Sequence, residues 1–378
     1  MAKFTTRLLA GLSAVLLAVG AAGAADLPKT TQSILKELQL DPDILAGLDD
    51  ELKVPAEWLA GARKEGKLEV MGSMDPQQFE EVVRPFLERY PFIKTAYNRG
   101  SFSNRAMSVL VAFRQGRVIT DVMTGFGGSA LQFKQAKAFE NLLNIPNVSQ
   151  IASLDMRDPD GEWVGHQMTE WCITYNTKLL KAEDLPATWD DMLSNPKWAG
   201  GHLGLGNRPQ LWLFALWSAK GDAWGKDFTE QLFAKLKPQL RKEGVNAVIS
   251  LVALGDIHAS LPGSGYRTRL MADKGAPLSF FCPEPVPVSV NEIALLRNSP
   301  NPNAGRLFIN WLLSKEGQVV QFATDHGSPV HKAFNNDPRF LNYPETLAGK
   351  SRAFRAPDDL ERYGNEVFKL WNVHWGGK

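Results

Sequence analysis

Basic residues stand where helices are predicted to begin. Arg105 follows Ser103-Asn104 at one such start, Arg208 directly precedes Pro209 at another, and Arg267 follows a Gly-Ser-Gly-Tyr turn. A guanidinium donates two parallel hydrogen bonds to a carboxylate or phosphate, and the first amides of a helix add partial positive charge. The pattern therefore predicts capture of a small anion. For each arginine, a place on a solvated helix face or in an ion pair stays open as the alternative.

The turns around these arginines are rich in Gly, Ser, Thr and Asn. Short polar side chains cap helices and leave backbone N–H groups free to meet a ligand. Any strand-to-helix turn needs such residues, so a single turn indicates little, and the prediction depends on several turns together. The candidate ligand-binding residues are Ser73, Ser101, Ser103, Asn104, Arg105, Thr124, Gly127, Asn207, Arg208, Ser264, Gly265 and Tyr266.

Nothing in the sequence has the spacing of a catalytic or metal site. The six histidines form no nucleophile elbow and no zinc-type pair, and two cysteines alone make no metal framework. Gly263-Ser264-Gly265 lacks the G-x-S-x-G frame of a hydrolase. We therefore predict no catalytic residue, no metal site and no cofactor, and a secreted hydrolase is the alternative of another class.

The N-terminus predicts export. Lys3 and Arg7 precede an apolar run from Leu8 to Val19, and small residues follow at Ala22-Gly23-Ala24. This is the pattern of a secretory signal peptide cleaved near Ala24, and an apolar run of about 12 residues is too short for a membrane anchor. The predicted location is the periplasm.

The charge balance argues against nucleic acid as a partner. The 378 residues carry 42 basic and 41 acidic side chains, a net charge of +1, and removal of residues 1–24 leaves 40 minus 41, or −1. A near-neutral chain has no basic field to attract a polyanion. Its length suffices for two domains.

Alternating strand, turn and helix patterns then predict an α/β fold. Residues 25–65 read as a helical extension. After it, apolar strands at Leu68–Met71, Ile93–Tyr97 and Val118–Met123 are each followed by a turn and a helix, and the second half repeats this style. Such a series is typical of mixed, mostly parallel sheets flanked by helices, in which ligands bind beyond the carboxyl ends of the strands.

Several phrases resemble a known family when taken in order. They are Thr174 to Leu180, Leu185 to Leu193, Asn195 to Gly200, Lys274 to Pro277, Pro300 to Ala304 and Phe308 to Gln318. Together they are similar to extracellular solute-binding proteins of ABC importers, in the branch that includes ferric-ion-binding proteins. The resemblance covers roughly residues 66–335.

The resemblance implies a type II periplasmic-binding-protein fold. Two lobes, joined by two crossover hinge strands, would close around a solute. Residues 66–172 plus 288–378 would form the first lobe and residues 173–287 the second lobe with the return hinge. It also implies a protein that captures a solute and hands it to a membrane permease. From the arginines at the turns we expect that solute to be a small anionic organic molecule, a carboxylate or a phosphate ester, and we expect the protein to be a monomer.

Two finer expectations come from the same resemblance. Cys172 and Cys282 would each lie on a crossover strand, close enough for a disulfide, with two free thiols as the alternative. A ferric site would need the paired tyrosines of that branch, whereas this chain has Tyr266 alone with small neighbours. Ferric binding through Tyr266 and a synergistic anion is therefore the alternative solute.

Overall fold

The computed structural model describes residues 27–100, 102–126, 129–355 and 359–375. The predicted signal peptide, Ser101 and Gly127 lie outside these residues. None of the described helices has the length and apolar character needed to cross a membrane.

Fifteen α-helices and eleven strands are found in the described residues. The helices are α1 Lys29–Glu37, α2 Leu48–Glu51, α3 Ala56–Glu65, α4 Pro76–Arg89, α5 Phe102–Arg114, α6 Ala130–Gln135, α7 Trp189–Met192, α8 Pro209–Lys220, α9 Asp222–Gln231, α10 Val245–Leu254, α11 Gly265–Ala272, α12 Pro302–Leu312, α13 Lys315–Asp325, α14 Pro344–Leu347 and α15 Asp359–Trp375. The strands are β1 Lys67–Gly72, β2 Lys94–Arg99, β3 Val122–Thr124, β4 Val164–Glu170, β5 Ile173–Asn176, β6 Leu203–Gly206, β7 Gln239–Arg241, β8 Ala259–Leu261, β9 Leu278–Phe281, β10 Val286–Leu295 and β11 Arg352–Phe354.

The first lobe is built on a six-stranded mixed sheet. Its order is β11-β10-β3-β1-β2, with β4 also paired to β10. The parallel strands β1, β2 and β3 end at the same edge, and the turns to α4 and α5 follow there. Along β1, Leu68 and Val70 are fully buried beneath the helices, which explains the apolar pattern seen in the sequence.

The second lobe is built on a five-stranded sheet of order β7-β6-β8-β5-β9. Strands β6 and β8 are parallel, so the turns that open α8 and α11 lie at one edge. Its core is rich in tryptophan, and Trp189 and Trp212 stack with ring centroids 5.6 Å apart. These aromatic side chains fix the second lobe's helices against its sheet.

Two crossover segments join the lobes side by side. The chain passes from β4 to β5 through Trp171 and Cys172, and it returns from β9 to β10 through Cys282. Antiparallel pairing flanks the crossing on both sides, between β4 and β10 and between β5 and β9. Cys172 and Cys282 form a disulfide across it, with Cα atoms 5.1 Å apart.

The C-terminal helix α15 lies on the second lobe, not on the first lobe to which residues 288–378 were assigned from the sequence. Its side chains at every fourth position, Tyr363, Val367, Trp371 and Trp375, are buried in the second lobe's core. Trp371 contacts Trp212 and Phe233 at centroid distances of 6.3 and 5.1 Å. The assignment was wrong for α15 because this apolar stripe fits the second lobe's aromatic core.

Helices α1 to α3 pack on the outer side of the first lobe. Leu35 and Leu48 share a buried cluster with Val319 and Phe322 of α13. Glu316, which is fully buried, accepts hydrogen bonds from Thr31 at 2.7 Å and from Arg89 at 2.5 Å. The extension is therefore part of the first lobe's structure and leaves the carboxyl edge of the sheet uncovered.

Candidate solute-binding cleft

Two adjoining cavities lie between the lobes. One has a volume of about 890 Å³ and the other of about 340 Å³. Both are lined by Ser73, Arg99, Gly125, Trp171 and Asn291. The cleft is therefore one space with two compartments, and the hinge residue Trp171 stands between them.

The larger space, which we term the arginine compartment, combines four basic residues with one acidic residue. Arg99 ends β2, Arg105 lies in α5, Arg208 precedes α8, Arg355 follows β11, and Glu292 lies on β10. Three of these arginines come from the first lobe and Arg208 comes from the second. The excess of positive charge suits an anion enclosed from both sides.

Arg105 holds the first lobe's turns together. It is only 2% exposed, and its guanidinium donates to the carbonyl oxygens of Gly100 at 2.7 Å, of Gly72 at 3.3 Å and of Gly125. Gly125 has a φ of +61°, a conformation that glycine adopts without strain. Burial lowers the pKa of Arg105. The three turns that follow β1, β2 and β3 are thus bound to one buried cation.

Arg208 is exposed in the cleft, and its guanidinium forms few contacts with the described part of the protein. Its one hydrogen bond among the described residues is from Nη1 to the carbonyl oxygen of Asn207, at 2.9 Å. Pro209 occupies the first turn of α8, where its missing N–H costs nothing. Asn207 accepts a hydrogen bond from Trp371 Nε1 at 2.9 Å, which ties the turn to α15.

Arg355 bridges the two lobes inside the same compartment. Its Nη1 donates to the carbonyl oxygen of Gln210 in α8 at 3.2 Å, and its Nη2 lies 3.9 Å from Oε1 of Glu292. Both charged side chains are about nine-tenths buried. Glu292 therefore offsets one of the four positive charges, and the compartment stays positive.

We term the smaller space the amide compartment because neutral polar side chains dominate its wall. They are Ser73, Gln78, Thr124, Gln167, Thr169, Asn246, Tyr266 and Asn291. Tyr266 forms a hydrogen bond with Asn246, and burial raises the pKa of its phenol. The phenol is therefore a neutral hydrogen-bonding group at ordinary pH.

Two titratable groups of the first lobe, His166 and Asp325, also line the amide compartment, together with the charged residues Asp75, Arg99 and Arg267. His166 Nδ1 lies 2.6 Å from Gln321 Oε1, and burial lowers the pKa of His166 to about 4. Asp325 accepts a hydrogen bond from the N–H of Gly327 at 2.9 Å, and burial raises its pKa to about 6. Both shifts favour the uncharged form, which reduces the charge of this wall.

The structure brings five of the predicted residues to the cleft wall. They are Ser73, Arg105, Thr124, Arg208 and Tyr266. The predicted residues Ser101 and Gly127 lie outside the described chain, and of Ser103 and Asn104 only the backbone, in α5, is described.

Three predicted residues do not line either compartment. Asn207 is turned towards Trp371. Ser264 is fully buried, and Gly265 packs against the ring of Phe280. The sequence predicted these three residues in the ligand site, and that prediction is wrong for one shared reason. In the second lobe, part of each turn faces the lobe's own core.

Sequence reasoning missed the residues that strands and hinges supply. Arg99, Trp171, Asn246, Asn291, Asp325 and Arg355 all line the cleft. Arg99 had a usable signal, since it ends a parallel strand at the edge where ligands bind. The others reach the cleft through contacts between distant segments, which residue spacing does not reveal.

A metal centre finds no support in the described part of the chain. No group of three or more His, Cys, Asp or Glu side chains there is arranged to hold a metal ion. Tyr266 lacks an adjacent tyrosine, and the raised pKa of its phenol opposes the phenolate form that Fe³⁺ prefers.

Comparison with protein families decides the family. Residues 72–319 match the model of the bacterial extracellular solute-binding proteins. The chain belongs to this family. The iron uptake protein A1 of Synechocystis sp. is 26% identical over 193 residues, which are 46% of this chain and 52% of that protein. The chain thus spans about half the length of this curated relative.

Solved structures of the family share the fold. Iron-bound HitA of Pseudomonas aeruginosa superimposes with a TM-score of 0.65 at 19% identity, over 82% of this chain and 99% of the other. AfuA of Actinobacillus pleuropneumoniae, with bound fructose-6-phosphate, gives 0.62 at 19% identity, over 80% and 98%. The predicted two-lobe binding-protein fold is confirmed. At these identities the likeness extends to the fold and not to the solute.

Proposed function

We propose that this protein is the periplasmic solute-binding component of an ABC importer. It captures a small anionic organic solute, a carboxylate or a phosphate ester, between its lobes and delivers it to a membrane permease. Catalysis is not part of the proposed function.

The observation that carries this proposal is the charge of the arginine compartment. Four arginines meet there with one glutamate. In the described chain, neither Arg105 nor Arg208 has a carboxylate within 4.0 Å, whereas Arg355 has Glu292 and Arg99 has Asp75. An enclosed anion supplies the missing negative charge and forms charge-assisted hydrogen bonds.

Capture proceeds by closure of the two lobes. Arg208 and Tyr266 stand on the second lobe, and Arg99 and Arg105 stand on the first. A solute that contacts both sides binds the closed form better than the open form, and this difference in affinity shifts the population towards closure. The crossover strands beside Trp171 are the hinge.

A ferric solute held by Tyr266 with a synergistic anion is the competing assignment. The solved relative from Trichodesmium is described in complex with iron and citrate, and AfuA with a sugar phosphate. The single tyrosine and the basic wall favour the organic anion.

Native mass spectrometry of protein purified without denaturation, followed by a thermal-shift screen with organic acids, phosphate esters and ferric citrate, tests the proposal. We expect a carboxylate or phosphate ester to raise the melting temperature in the absence of iron. Stabilisation by ferric citrate but not by citrate alone would assign the cleft to iron instead.

Arg208→Ala then tests the arginine compartment directly. Loss of a guanidinium paired with a buried anion weakens binding by about 2–5 kcal/mol, measured by calorimetry with the solute that the screen identifies. Arg269→Ala is the matched control, because Arg269 is exposed and forms an ion pair with Asp273 at 2.9 Å. Equal affinity of both variants would remove Arg208 from the site.

A further inference from the structure

The two compartments differ in chemistry although they form one space. The arginine compartment is lined by Arg99, Arg105, Arg208 and Arg355. The amide compartment is lined mostly by neutral hydroxyl, amide and phenol groups, and its charged or ionisable residues are Asp75, Arg99, His166, Arg267 and Asp325. They meet at Ser73, Gly125, Trp171 and Asn291 as well as at Arg99. A single solute that fills the cleft therefore meets a positive wall at one end and a neutral polar wall at the other.

The volumes accommodate a solute larger than a lone anionic group. The arginine compartment of about 890 Å³ alone has the size of a pocket for an organic ligand, and the amide compartment adds about 340 Å³. The polar groups of the amide compartment are desolvated when the lobes close, so those without a partner in the protein require one on the solute. An alkyl chain provides none, whereas hydroxyl groups both donate and accept.

The charged residues of the amide compartment leave little net charge there. Asp75 is paired with Arg99, and Asp325 has no basic group within 4.0 Å in the described part of the chain. Arg267 contributes one positive charge and Asp325 one ionisable carboxyl group. Recognition at this end must therefore depend on hydrogen bonds more than on ionic attraction.

We propose that the solute has two ends: an anionic group held in the arginine compartment, and a body carrying several hydroxyl groups that passes Trp171 into the amide compartment, where Gln78 of the first lobe and Asn246 of the second contact those hydroxyls. This inference rests on the proposed function and narrows its solute class. Gln78 lies in the first turn of α4, and Asn246 lies in the first turn of α10. Trp171 offers an aromatic surface between the two ends.

Pairs of probes with equal charge test the inference. Glucose 6-phosphate is compared with hexyl phosphate, and gluconate with hexanoate, by calorimetry on the full mature chain. We expect the hydroxylated member of at least one pair to bind at least about tenfold more tightly, the effect of one or two net hydrogen bonds. Hydroxylated probes that bind no more tightly than their alkyl counterparts overturn the inference and leave the proposed function standing.

Variants at the amide compartment provide the second readout. Gln78→Ala and Asn246→Ala are each expected to reduce the preference for the hydroxylated probe over the alkyl anion by about fivefold. Gln77→Ala is the matched control, since Gln77 is the adjacent exposed residue of α4 and does not line the cleft. Unchanged preference in both variants contradicts the inference. Failure of every phosphate and carboxylate to bind instead contradicts the proposed function.

Discussion

The two lobes present arginine to the cleft in opposite ways. The guanidinium of Arg105 in the first lobe is buried and donates to three backbone carbonyls. The guanidinium of Arg208 in the second lobe is exposed and, within the described chain, donates one hydrogen bond, to the carbonyl of Asn207. Both stand near the start of a helix, and the sequence predicts both as ligand-binding residues. The difference shows that an arginine near a helix start can have either of two roles. Where backbone carbonyls accept hydrogen bonds from its guanidinium, it stabilises the turns, and where they do not, the guanidinium is available to a ligand.

Alanine substitution of the two arginines should affect the free energy of unfolding differently. Arg105→Ala removes the hydrogen bonds to three carbonyl groups and a buried side chain, so we expect a loss of about 3 kcal/mol in the free energy of unfolding, measured by urea denaturation. The same truncation at Arg208, an exposed site, should change stability by less than about 0.5 kcal/mol. Equal losses at the two positions would refute the structural distinction.

The pH dependence of folding should arise from the first lobe's side of the cleft. His166 has a pKa of about 4 when folded and an ordinary value of 6.5, so between these pH values the unfolded chain binds more protons and stability falls as pH falls. Asp325 has a pKa of about 6 against 3.8, so stability rises as pH falls through that window. The two effects oppose each other in the wild type.

Asp325→Asn should therefore expose the contribution of His166. Stability of the variant should fall between pH 6.5 and pH 4 by roughly 2–3 kcal/mol more than that of the wild type, measured by denaturation at each pH. Asp49→Asn, at an exposed residue far from the cleft, is the control and should follow the wild type. Parallel pH profiles for wild type and Asp325→Asn would contradict the assignment.

The hydrogen bond from Trp371 to Asn207, which holds the turn that carries Arg208, can be tested by mutation. Trp371→Phe removes the hydrogen bond to Asn207 and so loosens the turn that carries Arg208. It should weaken solute binding about three- to tenfold, which corresponds to roughly 1 kcal/mol for one hydrogen bond. Trp217→Phe also removes an indole hydrogen bond in the second lobe, to Asp222 at 3.0 Å, but away from this turn. Only the first variant should change affinity, and a similar loss in both would point to general loosening of the lobe.

The sequence predicted the architecture more completely than the site. Local signals place β1 and β2 within a few residues of their observed bounds, because each segment carries its own pattern of apolar residues. Arg105 and Arg208 were found for the same local reason, their place beside a helix start. Their different roles depend on Gly72, Gly125 and Trp371, which are distant in sequence and carry no shared local signal.

The C-terminal helix illustrates the same limit. Its apolar stripe predicts a packed helix but does not indicate which lobe the helix packs on. Strand β11 pairs with β10 in the first lobe, whereas α15, which follows it, packs on the second. Trp171 and Arg355 likewise acquire their positions from the crossing of two segments and from the inter-lobe contact with Gln210. Such placements follow from tertiary packing, which overrides what a segment indicates alone.

The two ends of the described chain lie on different lobes: α1 rests on the first lobe and α15 on the second. Fluorophores attached at these extremities would report the separation of the lobes without occupying the cleft. The distance between the two ends of the described chain is therefore a direct measure of lobe closure, the movement that transport requires.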